Sequence, residues 1–302
     1  MLVVIGADVD PRLPGMRRLP DWDPWDTLEH IPHLESALGA DLPPITWLLR
    51  ADDTIRHVTG AFDSCYLSRR DMWTRLHARG HELGWHFHHW TFGATDGGFD
   101  PNPPWLSAAH AALSRHFAIQ ATRTGWDYCN SSTMRTLAAL GVAIDFSSLP
   151  GQLVWWSIDG ERILVDWKRA PGHPYRPGRD DYQQPAGGPG DDALRIWELP
   201  IAAFRATLMT MAKRTVWRLL HGELSLAGVA AKTLMMTQPW PRAPRPADVL
   251  AFHFHPEDLT AAGVDAFARN VTLLKQAFNP EFVTASVAAA RLADGRGTLR
   301  PS

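Results

Sequence analysis

The chain has 302 residues, a net charge of −2 and a pI near 6.7. That balance removes the electrostatic case for nucleic acid, whose binders carry a strongly basic face. Hydrophobic residues make up 45% and charged residues 21%, the composition of a globular protein with a sizeable core. Cys65 and Cys129, the two cysteines, are too few for a disulfide framework and lack paired zinc spacing. The opening MLVVIGADVD has no basic n-region and too short an apolar run for a secretory signal, and no spanning run follows, so the expected location is the cytoplasm.

Leu2 to Ala7 is a continuous apolar run suited to a strand buried on both faces. It leads into Asp8-Val9-Asp10-Pro11, where the proline stops it. Asp8 and Asp10, two apart, share one side of an extended chain. A Trp- and Pro-rich loop follows, then a helical pattern from about Trp25 to Leu38. Pro43 to Leu49 reads as the second buried strand, leaving through Arg50-Ala51-Asp52-Asp53. Ser68 is the expected cap of a helix that reaches about Ala78 and stops at Gly80. The stretch Gly80 to Trp90 reads GHELGWHFHHW and supplies a third strand with its exit loop. His86 and His88 project to one side of that strand. Neutral imidazole suits zinc, iron, nickel or copper, so the pair begins a metal site that needs a third ligand. Glu82 and His81 are expected to be structural.

A helix over Ser107 to His116 precedes a short strand, Ile119 to Thr122, which exits through Arg123-Thr124-Gly125-Trp126. Ser131 to Leu140 is a capped helix closed by Gly141, and Val142 to Phe146 a strand carrying Asp145. Ile163 to Trp167 reads as a further strand. The Pro-, Gly- and Asp-rich residues at about 171–192 read as a flexible surface loop. Arg195 to Leu199 forms a strand, and a helical insertion is expected at about 205–240. Its Lys213, Arg214, Trp217 and Arg218 give a basic and apolar face, which packs on its own barrel or lies on a membrane surface as a peripheral contact. Val249 to His255 is an apolar strand, followed by a helix to Phe278, a brief strand near Phe282 and a last helix from Ala285 to Ala293.

Strands alternating with helices predict an α/β protein, a single distorted (β/α) barrel of about seven or eight parallel strands occupying 1–302 as one domain. Asp8, Asp10, His86, His88, Arg123 and His255 all fall at or just past the C-terminal end of a predicted strand. In a barrel those ends converge on the face that carries active sites. That shared position points to a metal-dependent enzyme.

Four stretches also match a known family in order. LVVIGADVDP, GHELGWHFHHW, TRTGWDYCNSSTMRTLAALGV and VLAFHFHPEDL resemble, respectively, the acid-bearing first strand, the metal motif, the arginine stretch and the late histidine strand of the polysaccharide deacetylase family. LPPITWLL fits its second strand. The resemblance implies a metal-dependent carbohydrate esterase on a distorted barrel. Three departures stand out: Val9 separates acids that are adjacent in the family, Gly125 replaces a proline, and the histidine spacing is shorter. Position 90 is Trp, where the family's second metal histidine would stand, so that ligand is His88 or His89. A variant branch with His-x-His followed by Pro-Trp favours His88.

On this resemblance Asp10, His86 and His88 are the metal ligands for a divalent ion, zinc first, with iron, cobalt or nickel as alternatives. Asp8 is the general base, although spacing alone allows the two acids to exchange roles. Arg123 orients the base, and Asp145 either pairs with Arg123 or fixes a histidine. His255 is the general acid, with His253 as its alternative. Trp85, Trp90 and Trp126 are the expected walls of the substrate site. The implied reaction removes an acyl group, acetyl first, from an amide nitrogen of a sugar or glycan precursor. Two rival readings are a hydrolase of non-carbohydrate amides on the same barrel and a carbohydrate-binding barrel without catalysis.

Overall fold

The computed structural model describes residues 1–12, 23–93, 97–186, 193–204, 231–232, 235, 240, 243–244 and 247–295. The apolar run at the start of the chain becomes β1 (Leu2–Val9), all eight residues of which are buried. It pairs in parallel with β2 (Thr46–Arg50). Next come β3 (Glu82–Phe87), β6 (Ala121–Thr124), β7 (Ile144–Asp145) and β10 (Trp197–Glu198), each parallel to its neighbour. On the other flank β1 pairs with β13 (Val249–Phe254), and β14 (Glu281–Val283) pairs with the first residues of β1. The resulting order is β10-β7-β6-β3-β2-β1-β13. Just past β10, Ile201 makes a single parallel bridge to Ala251 of β13, and the Ala202 N–H donates to the Ala251 carbonyl at 2.8 Å. This thin join brings the two edges of the sheet together. The architecture is a distorted (β/α) barrel.

Helices cover the outside: α1 (Ile31–Leu38), α2 (Asp53–Thr59), α3 (Ser64–Ser68), α4 (Arg70–Ala78), α5 (Leu106–Ser114), α6 (Ser131–Ala139), α7 (Ala261–Phe278) and α8 (Ala285–Ala293). Several start on side-chain caps: Asp52 accepts from the Ile55 N–H, Asn130 from Thr133 and Thr260 from Gly263. Each cap satisfies an N–H that a helix start leaves unpaired. Glu82 and His81 lie at the opposite end of the barrel from the strand exits. Glu82 accepts from Thr46 Oγ1 and from the Ser286 N–H, and His81 Nδ1 accepts from the Ile45 N–H. Both are structural, as expected.

Three small antiparallel pairs are added to the parallel sheet: β4 (Trp90–Phe92) with β5 (Gly97–Phe99), β8 (Leu153–Ile158) with β9 (Glu161–Asp166), and β11 (Ala203–Phe204) with β12 (Ala231–Lys232). The strand expected at Ile163 to Trp167 is therefore one arm of a hairpin outside the barrel. Its turn is Asp159-Gly160, both at positive φ, a two-residue pattern that favours tight hairpins. The expected flexible loop at about 171–192 is, over 171–186, held down. Tyr175 exchanges backbone hydrogen bonds with Glu198 at 2.8 and 3.1 Å, and Tyr182 Oη donates to the Asp166 carbonyl at 2.6 Å. Within the expected helical insertion at about 205–240, residues 205–230 lie outside the described residues, and Ala231–Lys232 is a strand rather than a helix. No helix among the described residues is long and apolar enough to cross a membrane.

The barrel interior explains two glycines. A Cβ at Gly6 would fall 2.7 Å from Phe146 Cζ, and one at Gly84 would fall 2.8 Å from Leu48 Cδ2 and 2.7 Å from the Ala121 carbonyl. Phe146 and Leu48 thus fill space that only glycine leaves open, and they form the floor below the strand exits. Gly6→Ala is expected to destabilise the fold by about 1–3 kcal/mol through overpacking, measured by denaturant unfolding. Combining it with Phe146→Leu should recover part of the loss.

Candidate metal centre and active site

The sheet register lines up the functional side chains. Arg50 pairs with His86, and His86 with Arg123, so three side chains form one row across β2, β3 and β6. On the other flank Ala7 pairs with Phe254, which brings Asp8 level with His255 one residue further on. Successive strand residues alternate between faces, so Asp8 shares the interior face with Gly6, as His86 does with Gly84.

Nε2 of His86 and Nε2 of His88 lie 3.1 Å apart. Asp10 places one carboxylate oxygen 3.5 Å from the first and the other 3.4 Å from the second. One ligand atom from each of these residues lies within 4.8 Å of the others. His86 Nδ1 donates to the Arg123 carbonyl at 2.8 Å, which orients the ring with Nε2, the nitrogen a metal would take, toward Asp10. Burial, reinforced by the charge of Arg50, lowers His88 to about 4, so its ring is neutral at pH 7. Burial opposes ionisation of Asp10 as well, but His86 and Arg50 outweigh it and hold that carboxyl well below its usual range. Two imidazole nitrogens and one carboxylate with open positions suit a divalent ion of the zinc type.

The surrounding charges fit a cation. Four carboxylates, on Asp8, Asp10, Asp52 and Asp127, face two guanidinium groups, on Arg50 and Arg123. Asp8 and Asp10 also favour the protonated forms of His86 and His255, so the acids draw positive charge into the site. A divalent ion at Asp10 would take that place.

His88 rather than His89 faces Asp10. His89 turns the other way, where its Nε2 is hydrogen-bonded to Thr133 Oγ1 at 2.9 Å and its ring meets the edge of Tyr128 at 4.7 Å. Burial lowers it to about 3. The His88 backbone N–H donates to Asp52 Oδ2 at 2.9 Å. The same carboxylate accepts from Arg50 Nε at 2.7 Å and caps α2, while Arg50 Nη1 donates to Asp10 at 2.9 Å. Arg50 and Asp52 therefore tie two of the three candidate ligands together. In the sequence they read only as the loop leaving a strand; an acid directly before a helix is the one signal that marks Asp52.

Arg123 lies between two acids, its Nε 3.4 Å from Asp8 and its Nη2 bonded to Asp127. Asp127 is not anticipated by strand-end reasoning, because it sits on a turn beyond the strand. Asp145, expected to pair with Arg123 or fix a histidine, does neither. It accepts from Thr122 Oγ1 at 2.7 Å and from the Ser147 N–H at 3.0 Å. Its strand partner is Thr122, one residue from Arg123, and alternation puts the two on opposite faces.

His255 Nε2 lies 3.7 Å from Asp8 and 3.9 Å from Asp10. Its backbone N–H donates to Asp258 at 3.0 Å, and the same carboxylate lies 3.6 Å from Nδ1. Burial alone would lower this imidazolium, but Asp258, Asp8 and Asp10 together raise it to about 9. His253 pairs with Gly6 in the register, two residues below His255 on the same face.

The three tryptophans separate. Trp85 alternates with His86, points to the outer face and is fully buried, with its indole N–H donating to the Ala51 carbonyl at 2.8 Å. It is core and does not wall the site. Trp126, half-buried, sets its ring edgewise on His88 at 4.3 Å, and Trp90 lies 5.9 Å from Trp126. Trp126 and Asp127 both have left-handed backbone, φ 55° and 58°, a conformation that costs of order 1–3 kcal/mol each outside glycine and clusters at functional sites.

No family model and no curated relative matches the sequence. Two solved structures share the fold. One, from Parabacteroides distasonis and provisionally assigned as a glycoside hydrolase/deacetylase, superposes with a TM-score of 0.59 at 14% identity, over 96% of this chain and 71% of its own. The other, from Mycobacterium smegmatis and provisionally assigned as a polysaccharide deacetylase, gives 0.52 at 14% identity, over 100% of this chain and 94% of its own. The fold of this chain is thus that of polysaccharide-deacetylase-like barrels.

His86→Ala and Asp10→Ala are each expected to lose stoichiometric divalent metal without unfolding. His88→Ala should lose it more severely than His89→Ala, as measured by metal analysis of purified protein and circular dichroism. Full occupancy in His88→Ala would remove it from the ligand set.

Proposed function

We propose that this chain is a metal-dependent hydrolase that removes an acyl group, acetyl first, from an amide nitrogen of a sugar or glycan precursor. The observation that carries the reading is the meeting of Asp10, His86 and His88 with Asp8, Arg123 and His255 on one barrel face. The fold shared with structures provisionally assigned as a glycoside hydrolase/deacetylase and a polysaccharide deacetylase supports the substrate class, and the half-buried Trp126 offers a sugar ring a face to stack on.

Zinc is the first choice of cation, held by Asp10, His86 and His88. When bound, it supplies Lewis acidity, polarising the acyl carbonyl and lowering the pKa of water at its open position. Asp8 accepts the proton of the attacking water. Arg123, bonded to Asp127 on its far side, holds Asp8 through its Nε and keeps that carboxylate turned into the site. His255 lies on the side of Asp8 opposite Arg123 and, protonated, delivers a proton to the departing nitrogen. Asp258 keeps the ring oriented through its contact with Nδ1. An amine cannot leave as an anion at neutral pH, so the amide reaction depends on this proton.

Metal analysis together with a panel of N-acetylated sugars tests the reading. One divalent ion per chain with release of acetate is expected; bound metal with turnover of simple amides alone would move the substrate to the non-carbohydrate class. Absence of both metal and hydrolysis would leave a binding barrel.

His255→Ala should keep metal and fold yet lose on the order of 10² to 10⁴ in turnover, with an ester losing less than an amide. The raised pKa means that the acid form persists at neutral pH and disappears as pH rises. A cation at Asp10 repels the imidazolium, so the alkaline limb of the wild-type rate should fall at or below about 9 and be absent in the variant. Equal losses on ester and amide would assign His255 another part.

A further inference from the structure

The candidate histidine ligands stand only two residues apart, and the second is not on the strand but in the exit loop. Something must bring its ring back over the site. The His88 imidazole lies directly on the backbone of Gly125: a Cβ at position 125 would overlap its Cγ, Cδ2 and Nε2. Nε2 is the atom that faces Asp10. On another side Trp126 closes on the same ring edgewise, 76° between planes. The His88 backbone is pinned independently by Asp52, so the ring can give way only by rotating about its own side-chain bonds.

Gly125 is not glycine for the sake of its backbone. Among the described residues the positive-φ glycines are Gly39, Gly60, Gly80, Gly141, Gly151, Gly160 and Gly295, and the left-handed residues of this turn are Trp126 and Asp127. Alanine fits the backbone of position 125; only the His88 ring forbids it.

We propose that Gly125 is a positioning residue for His88: the absence of a side chain at 125, with Trp126 behind the ring, lets a histidine at two-residue spacing reach the metal centre. This inference rests on the reading of His88 as a ligand. It makes the short histidine spacing and the glycine after Arg123-Thr124 one coupled feature.

The test is a double-mutant cycle on the full chain with Gly125→Ala, His88→Ala and the pair together. Zinc affinity is read by chelator competition and coordination by the absorption spectrum of the cobalt-loaded protein. Gly125→Ala should weaken zinc about 10- to 100-fold, the range for residues that orient a ligand, and change the cobalt spectrum. In the His88→Ala background the same substitution should have no further effect. Wild-type affinity in Gly125→Ala, or an equal loss in both backgrounds, would overturn the proposal.

A second readout needs no metal. In the metal-free chain the His88 ring protons should show the ring-current shift of Trp126 in a histidine-selective NMR spectrum, and Gly125→Ala should remove it. If the wild-type chain takes up no cation, the ligand reading fails alone, and this shift decides whether residue 125 sets His88. An unchanged shift in Gly125→Ala would sink the positioning role.

Discussion

Much of this structure depends on one buried cluster of opposed charges. Asp8, Asp10, Asp52 and Asp127 converge on Arg50 and Arg123 at the open end of the barrel. Each guanidinium serves two acids, which is the fork geometry that arginine offers and lysine does not. Asp8 and Asp10 also draw positive charge from the histidines, favouring the protonated forms of His86 and His255. The two candidate histidine ligands differ in a useful way. His86 has its Nδ1 proton committed to a backbone carbonyl, and His88 is held neutral by burial. The acids are therefore placed to favour a cation in the site.

The barrel delivers these groups through register. Gly6 and Gly84 admit Phe146 and Leu48 into the interior, and that plug sets the level above which polar side chains begin. The next interior residues along the strands are Asp8, Arg50, His86 and Arg123. A one-residue slip of any strand would send its functional side chain to the helix-facing side, and on β3 it would put Trp85 or Phe87 into the site. The apolar packing of Trp47 against Trp73 and Phe254 therefore does more than stabilise the sheet. It locks the register on which the chemistry depends.

What could be read from the sequence follows from where period-two reasoning applies. Asp8, His86 and Arg123 sit on strands, and Asp10 and His255 directly after them, so alternation and strand ends sufficed to bring them together. The same alternation excludes Trp85 from the site, since it neighbours His86 and so faces the core. It likewise separates Asp145 from Arg123. Asp52 and Asp127 belong to turns, where no period applies. Asp127 reaches Arg123 only because the chain takes two left-handed steps at Trp126 and Asp127, a conformation that their residue types do not announce. The hairpin at Leu153–Asp166 carries a readable turn signal in Asp159-Gly160, but the apolar run from Ile163 reads equally well as one more parallel strand.

The strained turn after β6 shows how local cost and site geometry are linked. Left-handed backbone at a tryptophan and an aspartate is unfavourable, and within the turn the Tyr128 N–H donates to the Gly125 carbonyl at 3.1 Å. Further compensation lies outside the turn. Asp127 gains Arg123 through its side chain and the Trp167 indole N–H through its carbonyl, at 2.7 Å. Trp126 gains the edge of His88 and contact with Trp90. Arg123 in turn lends its carbonyl to His86 and its Nε to Asp8. The turn thus connects a candidate ligand, the base and the ring that backs the second histidine within five consecutive residues. Relaxing it toward ordinary dihedrals would withdraw Asp127 from Arg123 first, and through Arg123 would loosen both halves of the site together.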